Sequence, residues 1–144
     1  MKFTKTIVAG LVLIASVAYA QETTRTDPNS IARGAVMGAQ GGAMKVLGGM
    51  AGGEMAYDAA AAEAAKAALV AASASIAVVF EPNSTDAASK AKPEVWTNWD
   101  DFAAKAKVLA DAAAALDVSS AESIGAGMGA IGGACKDCHT TYRL

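Results

Sequence analysis

Residues 119–143 read SSAESIGAGMGAIGGACKDCHTTYR. Ser119 and Glu122 form an S-x-x-E capping box, which predicts a helix N-terminus. No proline and no strand-like alternation follow, so the helix is expected to run from Ser119 to about Tyr142. Its last turns carry Cys135-Lys136-Asp137-Cys138-His139, which hold both cysteines and the one histidine of all 144 residues. A chemical motif on a long helix near the end of the chain needs other helices to pack against it.

The upstream sequence supplies them. The chain contains 37 alanines, mostly in stretches free of proline, and alanine is the best helix former. Asp27 caps and Pro28 begins a helix expected over about Asn29–Gly48, ended by the glycine-rich segment Gly48–Gly53. A second helix is expected over about Asp58–Val79. Glu63 and Lys66 lie an i,i+3 step apart on its wet face and argue against a stable membrane insertion. Residues 81–93 form a long polar connection. A third helix is expected over about Asn98–Leu116, with Asp100 and Asp101 at the positive end of its dipole. Short links between helices one and two, and between three and four, make those pairs antiparallel. The predicted fold class is all-α, an antiparallel four-helix bundle.

The first twenty residues have a different character. Lys2 and Lys5 precede the apolar stretch Ile7–Val17, and Ala18-Tyr19-Ala20 is a small-residue cleavage site. Residues 1–20 are read as a signal peptide and 21–144 as the four-helix bundle domain, which starts at Gln21. Export to a bacterial periplasm follows. Cleavage removes Lys2 and Lys5 from 12 cations set against 14 acids, giving a net charge of −4. No basic footprint for nucleic acid exists.

The cysteine motif is the C-x-x-C-H haem attachment pattern. On a helix, Cys135 and Cys138 share one face and His139 lies i+4 from Cys135. Two thiols can then add to the two vinyl groups of one porphyrin, and the imidazole can reach the iron. One covalent haem c is the expected cofactor. Other uses of the motif fit less well. A redox C-x-x-C belongs on a βαβ scaffold, a zinc site lacks a second ligand pair, and a plain disulfide leaves His139 without a role.

Further residues carry a resemblance. An export signal, four helices and C-x-x-C-H-x-x-Y-R at the C-terminus resemble the cytochrome c-prime family, the class II c-type cytochromes. Arg33-Gly-Ala-Val-Met37, Phe80 and Pro93-Glu-Val-Trp96 are similar to the family at matching positions. The resemblance implies a haem inside the bundle with His139 as the proximal axial iron ligand. It implies Arg33 near a haem propionate, Arg143 beside the proximal histidine, and Met37 at the distal face. Phe80 and Trp96 are candidate haem contacts, although Trp96, Trp99 and Phe102 also form a helix-period stripe of the kind that fills cores. Met128, seven residues before Cys135, is expected on the haem face. Many family members are homodimers.

Five residues follow His139, too few to wrap to the other side of the ring. A sixth protein ligand must therefore come from upstream, and methionine suits haem iron. Met37 is the candidate distal ligand, an i+4 step from Arg33; Met44 is a further seven residues on. Low-spin relatives bind iron through methionine here, whereas high-spin relatives use Met or Leu to crowd a site open to small gases. The favoured expectation is electron transfer with a redox partner protein and no enzymatic activity. The alternative is a five-coordinate haem protein that binds nitric oxide or carbon monoxide. A peroxidase would need a distal acid–base group, and the sole histidine is proximal.

Glycine is clustered as well. Gly34, Gly38 and Gly42 form one i, i+4, i+8 stripe, and Gly125, Gly129 and Gly133 form another. Each mid-helix glycine costs about 1 kcal/mol relative to alanine. The expected compensation is close approach of the first and last helices along these stripes, with a dimer interface as the rival.

Overall fold

The computed structural model describes residues 24–144; the leader and its cleavage site lie outside them. Five helical segments occur there: α1 Pro28–Ala51, α2 Ala59–Phe80, α3 Glu94–Thr97, α4 Trp99–Ala115 and α5 Ala121–Tyr142. The four long helices make the bundle, and α3 is a single turn leading into α4. Contacts between opposite ends fix the directions. Arg33 early in α1 bonds Val79 late in α2, and Phe80 meets Phe102 early in α4. Tyr142 at the end of α5 bonds Asp101, and Gly48 late in α1 faces Met128 early in α5. Every neighbouring pair is antiparallel.

Local chemistry sets the helix ends. Asp27 accepts from Ser30 N at 2.8 Å and Asp58 from Ala61 N at 2.7 Å, satisfying free amides of the first turns. α1 outlasts its expected end at Gly48 and stops only where Gly52 N returns to Gly48 O and Gly53 adopts a φ of 77°. That left-handed angle is one that glycine adopts without strain. The expected capping box is displaced by one residue. Ser120, not Ser119, caps α5 by accepting from Ser123 N at 3.0 Å. Glu122 therefore acts only as a first-turn acid, while Ser119 N is held by Asp117.

Leu47, Leu69, Val95, Ile124 and Ile131 are wholly buried along the bundle axis. Burial stabilises each by about 1.5–3 kcal/mol relative to exposure. α2 is long and apolar enough to cross a bilayer by length and composition, but Ala62, Leu69 and Ile76 put one stripe of it into the core.

The glycine stripes do not join α1 to α5. A Cβ built at Gly38, Gly42, Gly129 or Gly133 would meet nothing within 4 Å. Gly38 borders the cavity between the two helices, and Gly42, Gly129 and Gly133 are exposed outside it, so no backbone approaches these positions. Close approach occurs at the other end, where Gly48 faces Met128 Cε at 3.5 Å and Gly125 faces Ala51 Cβ at 3.8 Å. Met128 consequently packs there and does not line the cavity.

Candidate haem site

A cavity of about 440 Å³ opens between the N-terminal half of α1 and the C-terminal half of α5. Helical periodicity builds both walls. On α1, Ser30, Arg33, Met37, Gln40 and Met44 recur at three- and four-residue steps and face inward. Gly34, Gly38 and Gly41 lie between them and keep that wall low. On α5, Cys135, Cys138, His139 and Tyr142 form the facing stripe. Phe80, Val95 and Phe102 add apolar lining from α2, α3 and α4.

The connection after α2 closes one end. Lys92 N donates to Tyr142 O at 2.9 Å and Leu144 N to Lys90 O at 2.8 Å, with an antiparallel bridge between Ala91 and Arg143. This short pairing brings Ser89, Lys90 and Ala91 onto the rim beside Arg143. At its other end the connection is held by Asp86, whose carboxylate accepts from Thr26 N at 2.8 Å and Asp27 N at 2.9 Å. The segment before α1 is thereby fixed, with the Arg25 guanidinium lying over Gly34.

The chemical state of the α5 wall suits attachment. Cys135 and Cys138 form no disulfide with each other and are partly exposed. Burial pushes both thiols up from their ordinary value, so they are neutral. Burial, followed by the nearby Arg143 charge, holds His139 below its usual value. A neutral imidazole is the form that ligates a metal. Asp137 is turned away and paired with Lys105 at 2.5 Å.

Arg33 lines the cavity and is also held by the protein around it. It is 3% exposed. Its Nε donates to Val79 O at 3.2 Å, Nη1 to Ser84 O at 3.4 Å, and Nη2 to Ser84 Oγ at 3.0 Å and to Pro82 O. Its guanidinium also lies 5.3 Å from the Phe80 ring centre and 4.9 Å from that of Trp96. Arg33 thus satisfies the Val79 carbonyl left open at the end of α2 and the Pro82 and Ser84 carbonyls in the connection after it. Trp96 is outside the cavity lining. Its Nε1 donates to Phe80 O at 2.7 Å, and its ring supports Arg33.

The structure therefore brings together Cys135, Cys138, His139, Met37, Phe80, Arg143 and the edge of Arg33, and leaves Trp96 one layer out. It adds Arg25, Ser30, Gln40, Lys90, Val95 and Phe102. Ser30 and Gln40 could have been found by extending the Arg33–Met37 periodicity. Arg25 and Lys90 lie outside helices and have no periodic signal.

These residues fit a covalently held haem. Two thiols and an imidazole share one wall, and a thioether lines the facing helix. Open space stands above Gly38 and Gly41. One buried hydroxyl, Ser30 Oγ, has no partner among the described residues. The sequence profile described as Cytochrome C' matches residues 30–143.

The chain belongs to the cytochrome c' family. It is 39% identical over 117 residues to cytochrome c-556 of Agrobacterium tumefaciens (strain apple 185), covering 78% of this chain and 92% of that one. Among solved structures, cytochrome c' from Rhodopseudomonas palustris superposes with a TM-score of 0.74 at 28% identity, over 83% of this chain and 98% of that one. A nitric oxide complex of a variant of cytochrome c prime from Alcaligenes xylosoxidans superposes with a TM-score of 0.71 at 25% identity, over 80% and 93%. As a cytochrome c' family member, this chain is a haem protein with one covalent haem c, and it is not an enzyme. Cytochromes of this family are usually periplasmic.

Proposed function

We propose that this cytochrome is an exported periplasmic electron carrier, and that His139 and Met37 would hold its haem iron from α5 and α1. The observation that carries this reading is that Met37 on α1 lines the same cavity as Cys135, Cys138 and His139 on α5. Haem supplies a reversible one-electron couple there. Cys135 and Cys138 hold it through thioethers, which prevent its loss by dilution outside the cell. His139 is kept neutral and so donates a ring nitrogen lone pair. The Met37 thioether would favour the ferrous state of a haem held there and raise its reduction potential. Phe80, Val95 and Phe102 exclude water, which lowers the reorganisation accompanying electron transfer. The partner is a redox protein that meets the open edge of the cavity.

A second reading has its own support. The nitric oxide complex of the Alcaligenes relative supports a five-coordinate iron that binds a diatomic gas. The absorption spectrum of purified holoprotein separates the two. Sharp low-spin bands with a weak near-infrared sulfur–iron band in the oxidised form are expected. A high-spin spectrum that shifts readily with carbon monoxide would overturn the His139/Met37 pair.

A further inference from the structure

Of the side chains that α1 puts into the cavity, Ser30, Arg33 and Gln40 are polar. Gln40 stands apart from the other two. It follows Met37 by three residues and precedes Met44 by four, so it shares the helix face of both thioethers. It is 7% exposed, and its partner on α2, Ser73, is 2% exposed. Their neighbours along the two helices, Ala43, Leu47, Leu69 and Ile76, are apolar core. Packing alone gives no reason for a carboxamide here.

The amide is only partly used. Its hydrogen bond among the described residues runs from Nε2 to Ser73 Oγ at 3.5 Å, a long contact. Ser73 is outside the cavity lining, so it holds the amide from the α2 side. Gln40 Oε1 has no partner among the described residues, yet it is not sealed, because Ser30 Oγ is the one sealed side-chain atom left unpartnered there. The amide therefore opens onto the cavity that Gln40 lines. Turning the amide over points its N–H groups inward and keeps the Ser73 bond, because a hydroxyl donates as well as accepts.

We infer that Gln40 is a specificity-determining residue on the wall facing Cys135, Cys138 and His139. Held by Ser73, its amide donates an N–H to a small ligand that takes the sixth iron position. It thereby selects ligands whose outer atom carries negative charge over neutral ones. An apolar wall separates small ligands of similar size weakly, whereas a buried donor penalises the ligand that leaves it unpaired. This rests on the covalent haem of the family and on neither reading of the sixth position.

The test uses holoprotein carrying Met37→Ala, which leaves the sixth position open in either reading. Azide on the oxidised protein is the anionic probe, and carbon monoxide on the reduced protein is the neutral one. Adding Gln40→Leu should weaken azide binding about tenfold, the worth of one hydrogen bond to a charged group. Carbon monoxide affinity should change far less. The infrared C–O stretch should rise, because no N–H then draws electrons towards the outer atom. Ser73→Ala should move azide affinity and the stretch in the same directions by less. Ser75→Ala, on the same helix with its hydroxyl on Ala71 O, should move neither. The inference is overturned if Gln40→Leu moves both affinities together, or moves neither them nor the stretch. If Gln40→Leu fails to hold haem, Ser73→Ala carries the test, and an unmoved stretch there overturns the inference. The near-infrared sulfur–iron band of the parent protein reports Met37 independently, so a failure of one assignment is distinguishable from a failure of the other.

Discussion

The Tyr142 hydroxyl donates to the Asp101 carboxylate at 2.5 Å and ties the last turn of α5 to the first turn of α4. The ring is 3% exposed and meets Phe102 edge-on, with centroids 5.3 Å apart. Burial and the Asp101 bond push the phenol up from 10.0 to about 12. The fold thus keeps its proton where the unfolded chain has lost it. Stability from this group is complete below pH 10 and declines as pH rises from there towards 12. Tyr142→Phe should lose about 1 kcal/mol at neutral pH and flatten the alkaline decline. Denaturant titrations of both proteins on either side of pH 10 check this; an equally steep alkaline limb in the variant would contradict it.

The glycines divide by what surrounds them. Gly129 is exposed with nothing within 4 Å of an added Cβ. Gly129→Ala should therefore gain about 1 kcal/mol from helix propensity alone. A Cβ at Gly127 would overlap Leu116 Cδ1, and Leu116 is buried. Gly127→Ala gains the same propensity but must displace a packed side chain, so a net loss of about 1 kcal/mol is expected. Gly129→Leu should leave the haem spectrum unchanged. Sedimentation of that variant tests a dimer built on the α5 stripe, since only such a dimer would be lost.

The bundle was legible because its signals are local. Asp27, Asp58, the proline positions and the cysteine motif each act within a turn of their own helix, and the structure keeps them nearly where expected. The cap of α5 slipped from Ser119 to Ser120 because Asp117 competes for Ser119 N. The glycine stripes misled because their spacing states which residues share a face without stating what that face meets. Arg33 illustrates the same gap. Its i+4 relation to Met37 placed it at the cavity, but its partners Val79 and Ser84 lie 46 and 51 residues away. Arg25 and Lys90 reach the site through Asp86 and the C-terminal tail, a tertiary path with no pattern in the sequence.

Acid should loosen the N-terminal clasp. Asp27 is held below its ordinary value of 3.8, chiefly by Ser30 N and then by the Ser84 hydroxyl. Asp86 is held below 3.8 by the amides of Asp27, Ala88 and Thr26. Both carboxylates are depressed in the fold, so their contribution is present above 3.8 and is lost as pH falls through the lower folded values. Asparagine also caps helices well. Asp27→Asn should therefore fold at neutral pH while showing a shallower loss of stability on acidification. Thermal melts across the acid range test this, and an unchanged acid slope in both Asp27→Asn and Asp86→Asn would show that other carboxylates govern it.

Met37 provides the sharpest functional contrast, because ligation and packing predict different spectra for one substitution. Met37 is half-buried and lines the cavity, as does Met44 seven residues on. If Met37 binds iron, Met37→Ala should convert a low-spin spectrum to a high-spin one and abolish the near-infrared sulfur–iron band. The reduction potential should fall, because the thioether no longer favours the ferrous form. Carbon monoxide binding should tighten at the vacated position. If Met37 only fills space, the spin state should stay as it was, and the main change should be a stability loss of about 2 kcal/mol from the cavity left behind. Met44→Ala is the control, since it removes a similar volume from the same helix face. A low-spin spectrum that survives Met37→Ala but not Met44→Ala would move the ligand two turns along α1. The electron-carrier reading would then stand with a different sulfur, whereas a spectrum indifferent to both would favour the gas-binding reading.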